Sequence, residues 1–155
     1  DPDKVMVGEI RDRETAAIAV QAALTGHLVL STIHANNTVE AIGRLINIGI
    51  DPYQFSTALN LIVGQRLMRK ICPECQGKGC IRCENTGYKG RMGVYELFQL
   101  SQQIKQMIID GDSLIKIREK AIQEGMIEIE EKARIKVRNN ITSITEYERI
   151  IGKWE

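Results

Sequence analysis

Four cysteines form the strongest chemical signal in this sequence, within the stretch CPECQGKGCIRC. They are Cys72, Cys75, Cys80 and Cys83. Two C-x-x-C pairs can each hold one metal ion with two thiolates, and four thiolates complete the closed tetrahedron of structural zinc. Gly77 and Gly79 allow the tight reversal that the short linker between the pairs demands. The pattern predicts structural Zn²⁺, with an iron–sulfur cluster or metal-free thiols as the alternatives.

A carboxylate near the beginning of the chain is the second candidate, in the stretch VMVGEIRD at positions 5–12. An apolar run passes through Gly8 to Glu9, and P-loop nucleotide hydrolases carry an acidic residue beside magnesium at such a strand end. The same pattern also fits an ordinary strand end whose glutamate faces water. By itself it therefore leaves both interpretations open.

Two histidines flank an apolar run in GHLVLSTIHANN. His27 and His34 are seven positions apart, so along a continuous strand their imidazoles would point to opposite faces. The polar residues after the run stand where α/β sheets commonly bind ligands. A histidine satisfied by a backbone partner is the alternative.

The elements that position these groups divide the chain at its cysteines. Before them the order is strand, helix, strand, helix, which predicts an α/β layer with a parallel sheet and the back half of a larger domain. We expect a buried strand at 4–7, a helix capped by Asp12 and ended at Gly26, and a strand at 27–33. A third helix is predicted over 53–70, after the Asp51–Pro52 start signal.

The second helix of this half carries an apolar face. Its members are Val39, Ile42, Leu45 and Ile46, and Thr38 is the predicted cap. After the cysteines, a strand over 91–99 and then a helical module are expected, with stops at Gly111, Gly125 and Asn139–Asn140. Thr145 and Glu148 have capping-box spacing for the last helix.

Composition excludes several classes of protein. The formal net charge is +1, which gives no electrostatic drive toward nucleic acid. No apolar stretch approaches the roughly 20 residues of a membrane span, and no signal-peptide pattern is visible. Clustered rather than dispersed cysteines favour a reducing compartment. We therefore expect a cytoplasmic protein that binds no nucleic acid and does not insert into the membrane.

Taken in order, the segments of this chain resemble one family. DPDKVMVGEIRDRETA, AVQAALTGHLVLSTIHANN, AIGRLINIGI, QRLMRKICPEC and TGYKGRMGVYEL are similar to the type II secretion and type IV pilus assembly ATPases of the secretion ATPase superfamily. The resemblance runs from Asp1 to about Ile151. The cysteines favour the secretion or pilus-extension branch, or a DNA-uptake pseudopilus motor, because retraction-type pilus ATPases typically lack them.

The resemblance implies a role for each candidate residue. VMVGEIRD would be the Walker B region, in which Glu9 governs Mg²⁺ and its water and Gly8 replaces the aspartate of many other P-loop enzymes. His34 and His27 would belong to the histidine box and contact the γ-phosphate of ATP. The four cysteines match the family's zinc ligands, with a shorter linker than in many relatives.

It also implies an architecture. Residues 1–70 would be the C-terminal part of a RecA-like P-loop ATPase domain, 71–90 the zinc segment, and 91–155 a strand with the helical module. The parent protein would be a hexameric ATP hydrolase, peripheral to the inner membrane through platform and assembly proteins. The Walker A loop, the acidic box and the N-terminal domain would precede position 1, so this chain is expected to bind ATP poorly and not to hydrolyse it.

Two rival interpretations remain. One is a non-enzymatic, zinc-stapled protein–protein interaction module, because CPECQGKGC is also similar to one repeat of the zinc region of J-domain chaperones. The other is a different RecA-like motor, such as one that moves DNA, which the near-neutral charge disfavours.

Overall fold

A computed structural model describes residues 3–154; residues 1, 2 and 155, which the predicted segments include, lie outside the described residues. In chain order the elements are β1 (Lys4–Val7), α1 (Arg13–Leu24), β2 (Leu28–Ser31), α2 (Thr38–Ile48), α3 (Pro52–Ala58), β3 (Leu61–Ile71), β4 (Tyr88–Gln99), α4 (Gln102–Ile109), α5 (Leu114–Gln123), α6 (Ile129–Arg138) and α7 (Ile144–Ile150). A single 3₁₀ turn, Ile81–Cys83, lies between β3 and β4. No helix within 3–154 is long and apolar enough to cross a membrane.

The chain forms two compact units that are each discontinuous in sequence. One contains residues 3–63 and 97–126, and the other contains residues 64–96 and 127–154. The helices after the cysteines are thus shared: α4 and α5 belong to the first unit, α6 and α7 to the second. The division into consecutive segments 1–70, 71–90 and 91–155 stays a prediction.

The first unit is built on a β–α–β arrangement. β1 and β2 pair in parallel, with Lys4 opposite Leu28 and Val7 opposite Ser31. The predicted cap of the connecting helix is confirmed, since the Asp12 carboxylate accepts a hydrogen bond from Thr15 N at 2.8 Å. Gly26, just past the helix, adopts φ 101°, which glycine alone adopts without strain. Two predicted strands of a parallel sheet are therefore present.

The prediction that β1 is buried was wrong. Met6 is 76% exposed, and Leu28 and Leu30 on β2 are about half exposed. Among the described residues these two strands form a two-stranded sheet. Apolar side chains of β1 and β2 thus lie at the surface, because no described element covers this face.

Helices α2 to α5 supply most of the first unit's core. Its buried members are Ala16, Val39, Ile42, Leu45, Ile50, Phe55, Phe98, Leu100, Ile104, Ile108, Ile117, Ala121 and Met126. Three of the four residues predicted on the apolar face of α2 are buried, but Ile46 is 41% exposed. Asn37, rather than Thr38, caps α2 by accepting Glu40 N at 2.9 Å.

The helix predicted over 53–70 was wrong beyond its first two turns. Asp51 caps α3 as expected, accepting Gln54 N at 3.1 Å, but α3 ends at Ala58. Residues 61–71 form β3, which is hydrogen-bonded to β4. Burial alternates along most of β3, the pattern of a strand. Pairing with a strand far along the chain outweighed the helix propensity of the basic run.

The second unit packs β3 and β4 residues against α6 and α7. Met68, Val94, Ile129, Ala133 and Tyr147 form its buried core. The capping box predicted at Thr145 is wrong, since Ser143 Oγ accepts Glu146 N at 3.0 Å and α7 begins at Ile144. Ser143, two residues earlier, thus caps the helix by accepting one of its free backbone N–H groups.

Candidate functional site

The ends of β1 and β2 bring two of the predicted site residues together. Beyond the strands, Ile10 N donates to Thr32 O at 2.8 Å, and Thr32 Oγ1 donates to Gly8 O at 2.8 Å. These bonds tie the segment after β1 to the segment after β2. As a result, Glu9 and His34 are neighbours at the carboxyl ends of two parallel strands, where α/β sheets bind ligands.

The Glu9 carboxylate lies between a guanidinium and an imidazole. Its Oε1 is 2.6 Å from Arg11, and its Oε2 is 3.4 Å from His34 Nε2. The hydrogen bond from Arg11 and the positive charge nearby lower the pKa of Glu9, although desolvation opposes the shift. Oε2 is inaccessible to solvent and has no hydrogen-bond partner among the described residues. Glu9 is therefore an ionised carboxylate whose Oε1 pairs with Arg11 and whose Oε2 faces the imidazole of His34.

His34 is open to solvent while Glu9 is partly enclosed. The His34 side chain is 86% exposed and the Glu9 side chain 32% exposed. A bound molecule could therefore contact the imidazole without displacing protein atoms. At Gly8 an added Cβ would meet no atom within 4 Å, so local packing does not require glycine there.

His27 lies at the other end of β2 and contacts the end of α1. Its Nδ1 is 3.0 Å from the carbonyl oxygen of Ala22 and 3.3 Å from Thr25 Oγ1. This geometry places the imidazole beside the carbonyl groups that α1 leaves free at its C-terminus. Because β2 ends at Ser31, the predicted alternation between His27 and His34 along one strand does not apply. The nucleotide role of His27 stays a prediction.

A cleft of about 520 Å³ adjoins His34. Its lining residues are His34, Ala35, Asn36, Glu40, Gly43, Arg44, Asn47 and Leu114. Glu40, Arg44 and Asn47 share one face of α2, and Leu114 of α5 closes the cleft against Gly43, where an added Cβ would be 3.0 Å away. Sequence reasoning missed Glu40, Arg44 and Asn47. Their helical spacing was visible, but it does not distinguish a ligand site from an ordinary solvated face.

The four cysteines form a second site, in the second unit. Their sulfurs all lie within 4.8 Å of one another. Three of the distances between sulfur atoms are 3.8 Å from Cys72 to Cys80, 3.7 Å from Cys75 to Cys83, and 3.7 Å from Cys80 to Cys83. Zn–S bonds of about 2.3 Å in a regular tetrahedron give sulfur separations of about 3.8 Å. The sulfur spacing therefore fits a four-thiolate metal site.

Backbone amides around the sulfurs favour thiolates. Gly79 N donates to Cys75 Sγ at 3.2 Å, while Cys83 Sγ accepts Cys80 N at 3.2 Å and Gly87 N at 3.3 Å. Burial works against ionisation of Cys83, but these donors and the neighbouring thiols outweigh it and lower the pKa of Cys83 to about 6. The pKa of Cys72 is also lowered, chiefly by backbone hydrogen bonds. The pKa of Cys80 rises to about 11, because its backbone hydrogen bond with Cys83 is outweighed by desolvation and by the other three thiols.

Tight turns hold this arrangement together. Gly79 and Gly87 have φ values of 94° and 78°, and an added Cβ at Gly87 would lie 2.5 Å from Gly77 O. The expectation that Gly77 and Gly79 form the reversal is confirmed by their positive φ values. Gln76 in the same linker also has a positive φ, as do Glu84 and Asn85 in the turn after Cys83.

Comparison with solved structures identifies the fold. The ATPase DotB of Legionella pneumophila matches with a TM-score of 0.75 at 23% identity, over 96% of this chain and 38% of that one. The pilus retraction motor PilT, solved with bound ADP, matches with a TM-score of 0.57 at 29% identity, over 85% of this chain and 39% of that one. The α/β fold is therefore that of secretion and pilus ATPases.

Sequence comparison gives closer relatives. The type IV pilus assembly ATPase PilB of Pseudomonas aeruginosa is 37% identical over 97% of this chain. The type II secretion system protein HxcR of the same organism is 39% identical, also over 97%. The chain spans only 31% and 34% of the length of these relatives. A family model described as type II/IV secretion system protein matches residues 1–149, so the chain belongs to that family.

Proposed function

We propose that this chain is the C-terminal part of a motor ATPase that powers type II protein secretion or the assembly of a type IV pilus or pseudopilus. The family match and the names of the relatives support an ATPase role. The observation that carries the assignment of a site is the approach of Glu9 Oε2 to His34 Nε2, 3.4 Å apart at the ends of two parallel strands.

In this proposal Glu9 binds Mg²⁺ and its water, and His34 contacts the γ-phosphate of ATP. A carboxylate oxygen is a ligand that Mg²⁺ prefers, and Oε2 of Glu9 is enclosed without a hydrogen-bond partner in the described part of the chain. Bound Mg²⁺ would supply charge neutralisation for the transferring phosphoryl group. The exposed imidazole of His34 would lie beside the γ-phosphate and orient it.

Arg11 sets a condition on this mechanism. Its guanidinium pairs with Oε1 of Glu9 at 2.6 Å. While this pair is formed, Oε1 is not available to bind Mg²⁺ or water, and only Oε2 is. The Arg11 side chain is 71% exposed, so it can turn away into solvent at little cost. We infer that Arg11 holds the Glu9 carboxylate ionised and oriented until nucleotide and Mg²⁺ arrive.

The cysteine site would hold Zn²⁺ as a structural ion. Cys72, Cys75, Cys80 and Cys83 would fill all four positions, which leaves none for a reacting molecule. In this role the metal adds folding free energy to a segment whose turns bury few apolar side chains. Nucleotide chemistry and metal binding are thus assigned to separate units.

The parent protein would be a hexamer in the cytoplasm, bound to inner-membrane platform and assembly proteins. This part of the proposal rests on the resemblance and on the relatives' names as secretion and pilus-assembly proteins. The near-neutral charge supports partners other than nucleic acid. The rival interpretation, a non-enzymatic interaction module, is supported only by the cysteine cluster.

Turnover by the full-length protein tests the nucleotide assignment. Glu9→Gln should lower kcat at least about a hundredfold, because the amide neither binds Mg²⁺ well nor takes up a proton. Glu14→Gln, an exposed acid at the beginning of α1, is the matched control and should leave kcat unchanged. Equal activity of Glu9→Gln and Glu14→Gln would contradict the assignment.

Activity of this chain alone tests its predicted inactivity. Its sequence contains no G-x-x-x-x-G-K-[ST] loop to cradle phosphates. Because phosphoryl transfer depends on positioning and charge neutralisation, the purified chain should release phosphate from ATP no faster than buffer. Turnover that disappears in Glu9→Gln would show that the chain is catalytic by itself.

A further inference from the structure

Arg44 is an exposed arginine on α2 that lines the cleft beside His34. Within residues 3–154 its side chain has no ion-pair or hydrogen-bond partner. Glu40, four positions earlier, has the spacing of a helical ion pair with Arg44. Its carboxylate instead accepts a hydrogen bond from Asn37 Nδ2 at 3.1 Å. Arg44 thus forms part of the cleft wall while the donors of its guanidinium are free.

The backbone at Arg44 has a fixed position. Helix α2 buries its other face in the core of the first unit, through residues such as Val39 and Ile42. Leu114 of α5 packs against Gly43, where an added Cβ would lie 3.0 Å from Leu114 Cδ1. A binding group carried by a packed helix is held more precisely than one on a loop. The free guanidinium is therefore supported by a rigid wall.

The residues that line the cleft favour an anion at the end near His34. Besides the imidazole they offer the guanidinium of Arg44 and the side-chain amide of Asn47. A guanidinium binds phosphate through two parallel hydrogen bonds, a geometry that few other side chains provide. Glu40 is the acid among the described lining residues, and its bond to Asn37 holds that carboxylate at the beginning of α2, one turn before Arg44.

We propose that Arg44 binds the γ-phosphate of ATP and so makes the site distinguish ATP from ADP. This role rests on the proposed function, in which His34 contacts the γ-phosphate. A γ-phosphate against that imidazole borders the cleft, and its oxygens accept hydrogen bonds from the guanidinium of Arg44. ADP has no γ-phosphate, so with ADP bound Arg44 has no such partner.

Nucleotide affinities of the full-length protein test this role. Calorimetric titrations with Mg²⁺ would compare ADP with the non-hydrolysable analogue β,γ-imido-ATP. Arg44→Ala and Arg44→Gln should each weaken binding of the analogue about tenfold or more, as expected for charged hydrogen bonds, and change ADP binding less than about twofold. Arg91→Ala is the matched control, because Arg91 is an exposed arginine of β4 without a partner among the described residues, and it should change neither affinity.

The Tm of each Arg44 variant without nucleotide should match the wild type, since no described contact is lost. Equal weakening for both nucleotides would overturn the γ-phosphate assignment. Unchanged affinity for the analogue would also overturn it and would favour another anion in the cleft, such as an acidic side chain of a partner. The kcat of Glu9→Gln separates the two proposals. If Glu9→Gln is as active as Glu14→Gln, the proposed function fails and the role of Arg44 fails with it. If Glu9→Gln is inactive while the Arg44 variants bind the analogue normally, only the role of Arg44 is wrong.

Discussion

The buried carboxylate of Glu146 gives the sharpest prediction on stability. Its side chain is fully buried and accepts five hydrogen bonds from two arginines. Arg69 donates through its backbone N at 2.8 Å and through Nε and a terminal nitrogen at 2.9 and 2.7 Å, and Arg149 donates through Nε and a terminal nitrogen at 2.8 and 2.7 Å. Burial disfavours the charge, but these donors outweigh it and lower the pKa of Glu146 to about 2.

This pKa fixes the sign and size of the pH effect. The ordinary pKa is 4.5, so the folded state holds the charged form more strongly than the unfolded state does. The stabilisation is complete above about pH 5 and is lost as the pH falls toward 2, and it amounts to about 3 kcal/mol. Glu146→Gln, which resembles the protonated acid, should therefore lower the free energy of unfolding by about 3 kcal/mol at pH 7.

Urea unfolding measured at several pH values checks this prediction. Trp154 is the only tryptophan in the chain and packs edge-on against Tyr147, with ring centroids 5.0 Å apart, so its fluorescence reports on the second unit. The gap between wild type and Glu146→Gln should narrow from pH 5 to pH 2, while loss of metal at low pH affects both proteins alike. Glu148→Gln, at an exposed position of α7, is the control and should cost little, because the amide oxygen can still accept the 3.4 Å hydrogen bond from Trp154 N. A gap that stays constant with pH would refute the charge-based reasoning.

Four further substitutions test individual contacts. Cys80→Ser should remove metal from the chain and lower its Tm, as measured by elemental analysis and calorimetry; full metal content would contradict the four-thiolate site. Gly87→Ala should cost about 2 kcal/mol or more, because its Cβ would meet Gly77 O at 2.5 Å. Gly111→Ala, with a similar φ of 76° but open space around it, should cost only about 1 kcal/mol in a urea titration followed by far-UV circular dichroism, which detects the helices of both units, and equal costs would argue against the clash. Asn37→Ala should cost about 1 kcal/mol, since it removes the cap that accepts Glu40 N, and an unchanged midpoint would show that water replaces this cap.

Local chemistry in the sequence predicted much of the fold. Asp12 and Asp51 each cap the helix that follows them, and Gly26 ends α1 with a positive φ. Such signals depend on a few neighbouring residues, so the sequence contains all the information they need. The C-x-x-C spacing belongs to the same class, and the sulfurs indeed lie close together.

Contacts between distant parts of the chain were harder to predict. The sequence predicts a helix over residues that form β3, because the basic residues there favour a helix locally, whereas the conformation of β3 depends on pairing with β4. Nothing in the sequence marked Glu146 as a buried acid, since Arg69 lies 77 residues away. Arg11 was likewise not recognised as the partner of Glu9, and Arg44 was not recognised as a wall of the cleft beside His34.

The central claim is that the side chains of Glu9 and His34 act together on one nucleotide. A double-mutant cycle between these two residues tests it most directly. The measurement is kcat of the full-length protein for Glu9→Gln, His34→Ala and the double variant. We expect each single change to lower kcat strongly. The kcat of the double variant should be only slightly below that of the slower single variant, as for residues that act as a unit. Multiplicative losses, or full activity of either single variant, would show that the two residues do not share a catalytic task.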